Sequence, residues 1–378
     1  MATNPVYTYL LADLATNKVL EEIRLTGVKF NRPLNSSGKF NGTWKLTQGT
    51  KKFDPYDLTM PCRRVIYAFR DSRPMWGGII WTRNYDSVTK TVQLGAADWW
   101  SYFDHRKVLP TFVPDGTLTQ VAALTEAYAA TDQNAIARGL VATAQAHTGG
   151  NILVSPADTA TSGQLRDRTY PGFNLTQVGD ALTNLCNVIN GPDMVFDVLP
   201  ATTGAPQRVI RIGTPSLGQQ GSAHRWEVGG NVTAYGWPSD GTRMGTRAFA
   251  TGQGVELGLP VAVSEDTSKY SQGFPLLENE TQYSSAEDAT TLAGHAQADQ
   301  QVARMPVVLP KVIMRGDIPP TAADVNRGDD GWLIVPPGDL FHKNGFQGPV
   351  RVVDMAFAPG KDAERVELTM APLLDGVA

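Results

Sequence analysis

The sequence has few of the residues on which metal centres and disulfide frameworks depend. Only two cysteines, Cys62 and Cys186, and five histidines occur among its 378 residues. Two distant cysteines can form at most one disulfide and cannot build a cysteine-rich zinc site, so we interpret them as small buried thiols in a reducing compartment. No histidine lies at HxxxH or HExxH spacing, and the sequence therefore predicts no metal ligands and no cofactor.

Long apolar runs and an excess of positive charge are also missing. The longest apolar runs are far shorter than the roughly 20 residues that a membrane span needs. The segment from Met1 to Lys18 has no basic n-region, and Asp13 interrupts its apolar stretch, so no signal peptide is predicted. The formal net charge is -4, which argues against a dedicated, sequence-specific nucleic-acid binder. We expect the protein to be made and folded in a cytoplasm.

Catalytic motifs are absent from the sequence as well. It has no GxSxG elbow and no catalytic-cysteine pattern. The glycines of Val228–Gly230 and Gly252–Gly254 lack the Lys-Ser/Thr and helix of a phosphate-binding loop, and we interpret both segments as turns or bulges. Arg315-Gly316-Asp317 and Arg327-Gly328-Asp329 spell the integrin-binding tripeptide, and we interpret them as chance turn compositions. We therefore assign no catalytic or cofactor-binding residue and predict that the protein is not an enzyme.

The residues that are present indicate a folded, mainly β protein. Hydrophobic residues make up 42% of the chain and charged residues 19%, and this length favours two or three domains. Short apolar-alternating runs separated by turn residues are typical of antiparallel sandwiches or barrels. The predicted strands of the first block, residues 1–112, are Val6–Leu14, Val19–Leu25, Phe40–Leu46, Arg64–Arg70, Gly77–Arg83 and Lys90–Leu94.

The middle of the sequence, residues 113–223, predicts a small α/β insertion. One helix is expected after a cap at Thr131 and ends before Gly149-Gly150; a second follows a cap near Asn174 or Thr176. Two strands, Met194–Leu199 and Arg208–Ile212, come next. The last block, residues 224–378, predicts strands again, interrupted by one helix from Ala286 to about Met305. Ser284 and Glu287 have capping-box form at its start, and the predicted strands are Trp226–Val228, Val232–Trp237, Arg247–Thr251, Val307–Met314, Trp332–Val335, Val350–Phe357 and Arg365–Met370.

An aromatic cluster is the most unusual feature of the first block. It comprises Trp76, Trp81, Trp99, Trp100, Tyr102 and Phe103. Core or subunit-interface packing is the favoured interpretation, because aromatic residues are enriched in both. Exposed aromatic rings flanked by Asp98 and Asp104 would instead suit a glycan-binding platform, and the sequence leaves these alternatives open.

Several further segments together cover nearly the whole chain. They are Tyr7–Leu46, Met75–Val108, NAIARGLVATAQ at 134–145, Arg166–Tyr170, Gly191–Val198, Gly230–Gly254 and Phe274–Glu278 followed by the alanine-rich helix. These segments resemble one family, the minor tail proteins of long-tailed actinobacteriophages, whose tail-hub subunit is similar to the baseplate hub of contractile-tailed phages.

This resemblance implies a structural virion protein at the tail tip, assembled in the cytoplasm of the bacterial host. Related hubs are homotrimers whose two tube-like β-barrels per subunit match the six-fold tail tube above a three-fold tip. The implied partners are the distal tail protein or tail tube, the tape measure protein and other tail-tip proteins. The implied role includes lining the channel for DNA ejection, and an acidic chain fits a channel that should not grip phosphates.

Three alternatives remain at this stage. A hexameric distal tail protein would differ from the hub in copy number. A cell-wall-degrading tail enzyme would need Asp98, Asp104 or a histidine in its site, and a glycan-binding tail protein would use Trp99–Phe103. Because the sequence ends soon after the last predicted barrel, we expect wall digestion and adhesion to belong to partner proteins.

Overall fold

The computed structural model describes residues 5–188, 190–201, 204–213, 216–252, 258–283, 289–360 and 364–373. Strands account for 42% of the chain and helices for 16%, which confirms the mainly β prediction. The first block forms seven strands and two short helices. These are β1 (Tyr7–Asp13), β2 (Val19–Ile23), β3 (Leu25–Pro33), β4 (Lys39–Lys45), α1 (Pro55–Leu58), β5 (Arg64–Arg70), β6 (Arg73–Asp86), β7 (Thr91–Ala97) and α2 (Trp100–Phe103).

The insertion contains two longer helices and five strands. They are β8 (Thr125–Asp132), α3 (Gln133–Ala146), β9 (Val154–Pro156), β10 (Leu165–Pro171), α4 (Val178–Cys186), β11 (Met194–Leu199) and β12 (Gln207–Ile212). Strands β8 and β10 form a two-stranded ribbon, whereas β9, β12 and β11 form a separate three-stranded sheet. The ribbon was not predicted, because neither of its strands has large apolar residues at alternating positions.

Both predicted helix caps of the insertion are displaced along the chain. Asp132, not Thr131, caps α3, since its side chain accepts a hydrogen bond from the backbone N–H of Asn134. Helix α4 begins at Val178 after Gln177, whose side chain makes no capping bond. Asn174 lies instead in a short 3₁₀ turn at Gly172–Asn174, so the predicted cap at Asn174 or Thr176 is wrong.

The described residues of the last block form eleven strands and two helices. They are β13 (Arg225–Glu227), β14 (Val232–Gly236), β15 (Ser239–Asp240), β16 (Arg247–Thr251), β17 (Val261–Glu265), α5 (Ser268–Ser271), β18 (Glu278–Gln282), α6 (Ala289–Ala303), β19 (Val307–Val308), β20 (Lys311–Arg315), β21 (Asp330–Val335), β22 (Phe346–Phe357) and β23 (Arg365–Pro372). The predicted strand Val307–Met314 is interrupted at Leu309-Pro310, where proline cannot donate a ladder bond. The predicted capping box at Ser284 lies outside the described residues.

One large sheet joins the first and last blocks. Its strand order is β14-β20-β23-β22-β3-β4-β7-β6-β5-β1-β2, with β21 and β13 branching from β22. On one side, β22 pairs antiparallel with β21 through Phe346–Arg351 and then with β3 through Asp354–Phe357. Over the described residues this sheet does not close into a barrel. The predicted pair of barrels therefore stays a prediction.

The chain divides into two compact units, residues 1–235 with 312–378 and residues 236–311. In the smaller unit, β16 pairs antiparallel with β17 and parallel with β18, and α6 packs on this sheet through Leu292 and Ala296. The division into 1–112, 113–223 and 224–378 stays a prediction. No helix among the described residues is long and apolar enough to cross a membrane.

A single core connects the insertion to the first block within the larger unit. It includes Trp99 and Phe103 of the first block together with Leu140, Leu182 and Phe196 of the insertion. The rings of Phe103 and Phe196 stack with centroids 5.0 Å apart. The two segments are therefore held together by shared apolar burial, the main favourable term in folding.

A buried arginine of the insertion also contacts the first block. Arg208 of β12 is 1% exposed, and its guanidinium carbon lies 4.8 Å from the centroid of the Trp99 ring. Its five N–H groups each have an acceptor: Tyr67 Oη for Nε, the carbonyls of Leu14 and Ile152 for Nη1, and the Asp13 carbonyl and Asn17 Oδ1 for Nη2. A buried cation is tolerated here because every donor is satisfied.

Replacing Arg208 by lysine should lower the free energy of unfolding by about 2–4 kcal/mol. An ammonium group has three donors instead of five and lacks the planar face that stacks on Trp99, so acceptors are left unsatisfied. Urea denaturation measures the change. Arg24→Lys, at an exposed position of the first block, is the matched control and should stay within about 0.5 kcal/mol. Equal stability of both variants would contradict the assigned role of Arg208.

Candidate functional site

The aromatic run Trp99–Phe103 is largely enclosed by the protein. Trp99, Trp100 and Phe103 are 0%, 3% and 0% exposed, and Trp76 is 3% exposed. Trp81 and Tyr102 are half-buried and make polar contacts, Trp81 Nε1 with Ser101 Oγ at 2.8 Å and Tyr102 Oη with the Gly150 carbonyl at 2.6 Å. The packing interpretation is therefore confirmed for Trp99, Trp100 and Phe103, whose faces are not available for stacking on a sugar.

The two carboxylates beside the aromatic run have different surroundings. Asp98 is buried and accepts hydrogen bonds from Ser37 Oγ and from the backbone N–H groups of Gly38 and Trp100. Burial raises the pKa of Asp98 to about 7, although these three bonds and Arg327 oppose the shift. Burial, reinforced by Asp180, also raises the pKa of Asp104.

The histidines are dispersed. The ring of His105 lies tilted against Trp81 with centroids 4.6 Å apart, and that of His295 stacks on Tyr283 with centroids 4.0 Å apart. His147 Nε2 lies 3.0 Å from the Leu109 carbonyl, and His224 Nε2 lies 3.5 Å from Asp329. Within the described ranges, no three His, Cys, Asp or Glu side chains are placed to hold a metal ion.

Two interpretations of short motifs need correction or refinement. Cys62 is exposed and Cys186 half-buried, so the expectation of two buried thiols is wrong for Cys62.

In the first Arg-Gly-Asp tripeptide, Arg315 and Asp317 form a local ion pair of 2.8 Å, which suits a turn. The second tripeptide is different, because Arg327 and Asp329 are 6% and 2% exposed and Arg327 contacts a buried carboxylate. Gly229 has a φ of +88°, as expected for a turn, and residues 253–254 lie outside the described ranges.

The buried carboxylate that Arg327 contacts is Asp197, and it is the centre of a charged junction formed with Arg32, Arg211 and Arg327. Arg32 Nη2 lies 3.3 Å from each Asp197 oxygen, Arg327 Nη2 lies 2.8 Å from Oδ2, and Arg211 Nη1 lies 3.5 Å from Oδ2. Arg32 comes from β3 of the first block, Asp197 and Arg211 from the insertion, and Arg327 from the loop before β21. The junction therefore joins all three sequence blocks inside the larger unit.

The local backbone explains how these side chains meet. Arg32 lies on the same face of β3 as the buried residues Val28 and Phe30, since side chains alternate along a strand. Asp197 of β11 is opposite Val209 of β12, which makes Arg211, two residues further on, its diagonal neighbour on the same face. Gly328 has a φ of +88°, and this turn conformation follows Arg327 directly.

The charges of the junction stabilise one another. Burial alone would raise the pKa of Asp197, but Arg327 and Arg32 outweigh it and hold this pKa at about 2. Burial lowers the pKa of Arg32 to about 10, which leaves the group cationic at neutral pH. Asp197 is therefore ionised and paired throughout the neutral range.

Two charged residues at apolar positions of the sequence indicate this junction, although they form no motif and were not predicted as a site. Asp197 is the only charged residue in the run MVFDVL, and Arg32 occupies the apolar face of a strand. A charged residue at a core position needs a buried partner. The partner could not be named, because Arg32, Asp197 and Arg327 are more than a hundred residues apart.

Phage and prophage tail proteins are similar to this chain in structure. The tail protein from Neisseria meningitidis MC58 matches with a TM-score of 0.59 at 14% identity, over 98% of this chain and 97% of its own. The 43 kDa tail protein of prophage MuSo2 from Shewanella oneidensis matches with a TM-score of 0.58 at 12% identity, over 97% and 98%. Prophage tail protein gp18 from Listeria monocytogenes EGD-e matches with a TM-score of 0.52 at 12% identity, over 96% and 94%.

The chain has the fold of these tail proteins. The likeness runs along nearly the full length of each, so it includes the insertion as well as both β blocks. No protein-family model and no curated protein matches the sequence.

Replacing Asp197 by asparagine should lower the free energy of unfolding by about 3–5 kcal/mol, because two buried arginines lose their counter-charge. Chemical denaturation at pH 7 measures the effect. Glu22→Gln, at an exposed position of β2, removes the same charge from the surface and should change stability by less than about 0.5 kcal/mol. An Asp197→Asn protein as stable as this control would show that the junction does not hold the blocks together.

Asp98 should give the wild type a pH dependence that Asp98→Asn lacks. The pKa of Asp98 is about 7 in the folded protein, against about 3.9 for an unfolded chain. The folded state therefore retains a proton that the unfolded state has released, and stability falls as pH rises from about 4 to 7.

Urea denaturation of both proteins between pH 5 and pH 8 tests this expectation. Other titrating groups are common to the two proteins, so the difference between their curves isolates Asp98. Parallel curves would contradict the assignment of a protonated Asp98 below pH 7.

Proposed function

We propose that the protein is a structural subunit of a bacteriophage tail, and that it is the tail hub of a long-tailed phage. The observation that carries this proposal is the fold, which matches three tail proteins over nearly their entire lengths. The structural neighbours are tail proteins, and this supports a structural role. The buried charges of Asp197, Arg32 and Arg327 join blocks of the chain.

The hub is a homotrimer that connects the hexameric tail tube to the three-fold tip. Two β blocks flank one α/β insertion, and β22 pairs with strands of both blocks. If each block supplies one tube-like segment, three subunits supply six, and the symmetry of the tube above is matched. In this proposal the two tube-like β domains complete their ring only in the assembled trimer.

The proposed hub lies at the tail tip and lines the channel through which DNA is ejected. Its neighbours are the distal tail protein or tail tube, the tape measure protein and other tip proteins. The net charge of -4 supports a neutral or acidic channel, because a cationic lining would bind the passing phosphates.

Imaging of tail tips together with native mass spectrometry of the 40.8 kDa chain tests the proposal. We expect three copies in a ring beneath a six-fold tube. Six copies in the virion would instead identify the distal tail protein. Absence of the chain from purified particles would refute a virion role of either kind.

A further inference from the structure

An arginine-lined cleft opens beside the charged junction. Its lining includes Arg32, Arg73, Arg211 and Arg327, and its volume is about 380 Å³. A deeper recess of about 80 Å³ adjoins it and reaches Asp197, and Arg32, Arg73 and Arg211 line this recess too.

The N–H donors of this cleft exceed the acceptors that the protein supplies. The exposed Arg73 has no ion pair with a carboxylate of the described residues, and Arg211, with 42% of its side chain exposed, makes one ionic contact of 3.5 Å. Nε of Arg32 is buried without a hydrogen-bond partner among the described residues. Each guanidinium carries five donors, so most of those on Arg73 and Arg211 are available.

Two carboxylates, Asp324 and Asp329, also line the cleft, and among the described residues neither forms an ion pair with Arg73 or Arg211. Asp324 accepts hydrogen bonds from the backbone N–H and the Oγ1 of Thr321. Asp329 accepts from the backbone N–H groups of Gln219 and Asn326. Asp197 is already shared by three arginines. Arg73 therefore has no carboxylate partner among the described residues, and Arg211 has only its 3.5 Å contact with Asp197.

We propose that this cleft binds an oxyanion through Arg73 and Arg211, above a floor formed by Arg32 and Arg327. Guanidinium groups match the paired oxygens of phosphate and carboxylate in bidentate geometry. Arg32 and Arg327 are 9% and 6% exposed, so their charges act in a poorly solvated floor where electrostatic attraction is stronger than in water. The oxyanion is either free phosphate or an acidic side chain of a neighbouring subunit; only the second source rests on the trimer proposed above.

Calorimetric titration of the wild-type chain with inorganic phosphate, at constant ionic strength kept by chloride, tests the proposal. We expect saturable binding that is weakened at least tenfold in Arg73→Gln/Arg211→Gln. Arg24→Gln removes a cation from an exposed position outside the cleft and should bind phosphate as the wild type does. Circular dichroism and urea denaturation establish that both variants are folded.

The same titration on the assembled protein distinguishes the two sources. Retained phosphate binding identifies a free anion. Phosphate binding that is lost on assembly, with assembly impaired in the double variant, identifies a neighbour's carboxylate. Absence of saturable binding to the isolated wild-type chain, or equal binding by the double variant, would overturn the proposal. A chain that binds phosphate but does not form a trimer would refute only the hub.

Discussion

The ion pairs of Asp197 are the constraint on which the larger unit depends. Three arginines from β3, β12 and the loop before β21 meet one buried carboxylate, and the pKa of that carboxylate is held at about 2. A buried charge that loses its partner costs several kcal/mol. The first block, the insertion and the last block must therefore occupy their native positions together for Arg32 and Arg327 to reach Asp197.

An apolar core and the hydrogen bonds of Arg208 both hold the insertion against the first block. The shared core of Trp99, Phe103 and Phe196 supplies a non-directional driving force. The hydrogen bonds of Arg208 are directional. All five are formed only when the backbone of the β1–β2 turn, Tyr67 and the segment before β9 are in place. Hydrophobic collapse alone would tolerate small displacements that this network does not.

The sequence predicted those features that depend on local pattern. Strands Arg64–Arg70, Met194–Leu199 and Arg247–Thr251 are found within their predicted bounds, because apolar alternation or a short apolar run is a property of neighbouring residues. The pairing of β22 with β3 joins residues more than three hundred positions apart, and no local pattern specifies it. Arg327 also shows that local pattern does not specify distant contacts. Its tripeptide was interpreted as a chance turn composition, whereas in the structure Arg327 is buried beside Arg32 and Asp197. The ribbon of β8 and β10 was missed because neither strand alternates large apolar with polar residues.

The charged junction also gives a physical reason for the register of the central strands. Met355 of β22 is opposite Arg32 of β3, and this register places Arg32 on the core face with Phe30. A slip of one residue would reverse the face of every side chain on β3. Arg32 would then leave Asp197, and Phe30 would lose its 5.0 Å stacking contact with Phe357. An apolar strand can gain alternative contacts after such a slip, whereas a buried arginine with one carboxylate cannot. The ion cluster thus contributes more to the uniqueness of the pairing between the first and last blocks than its net effect on stability would suggest.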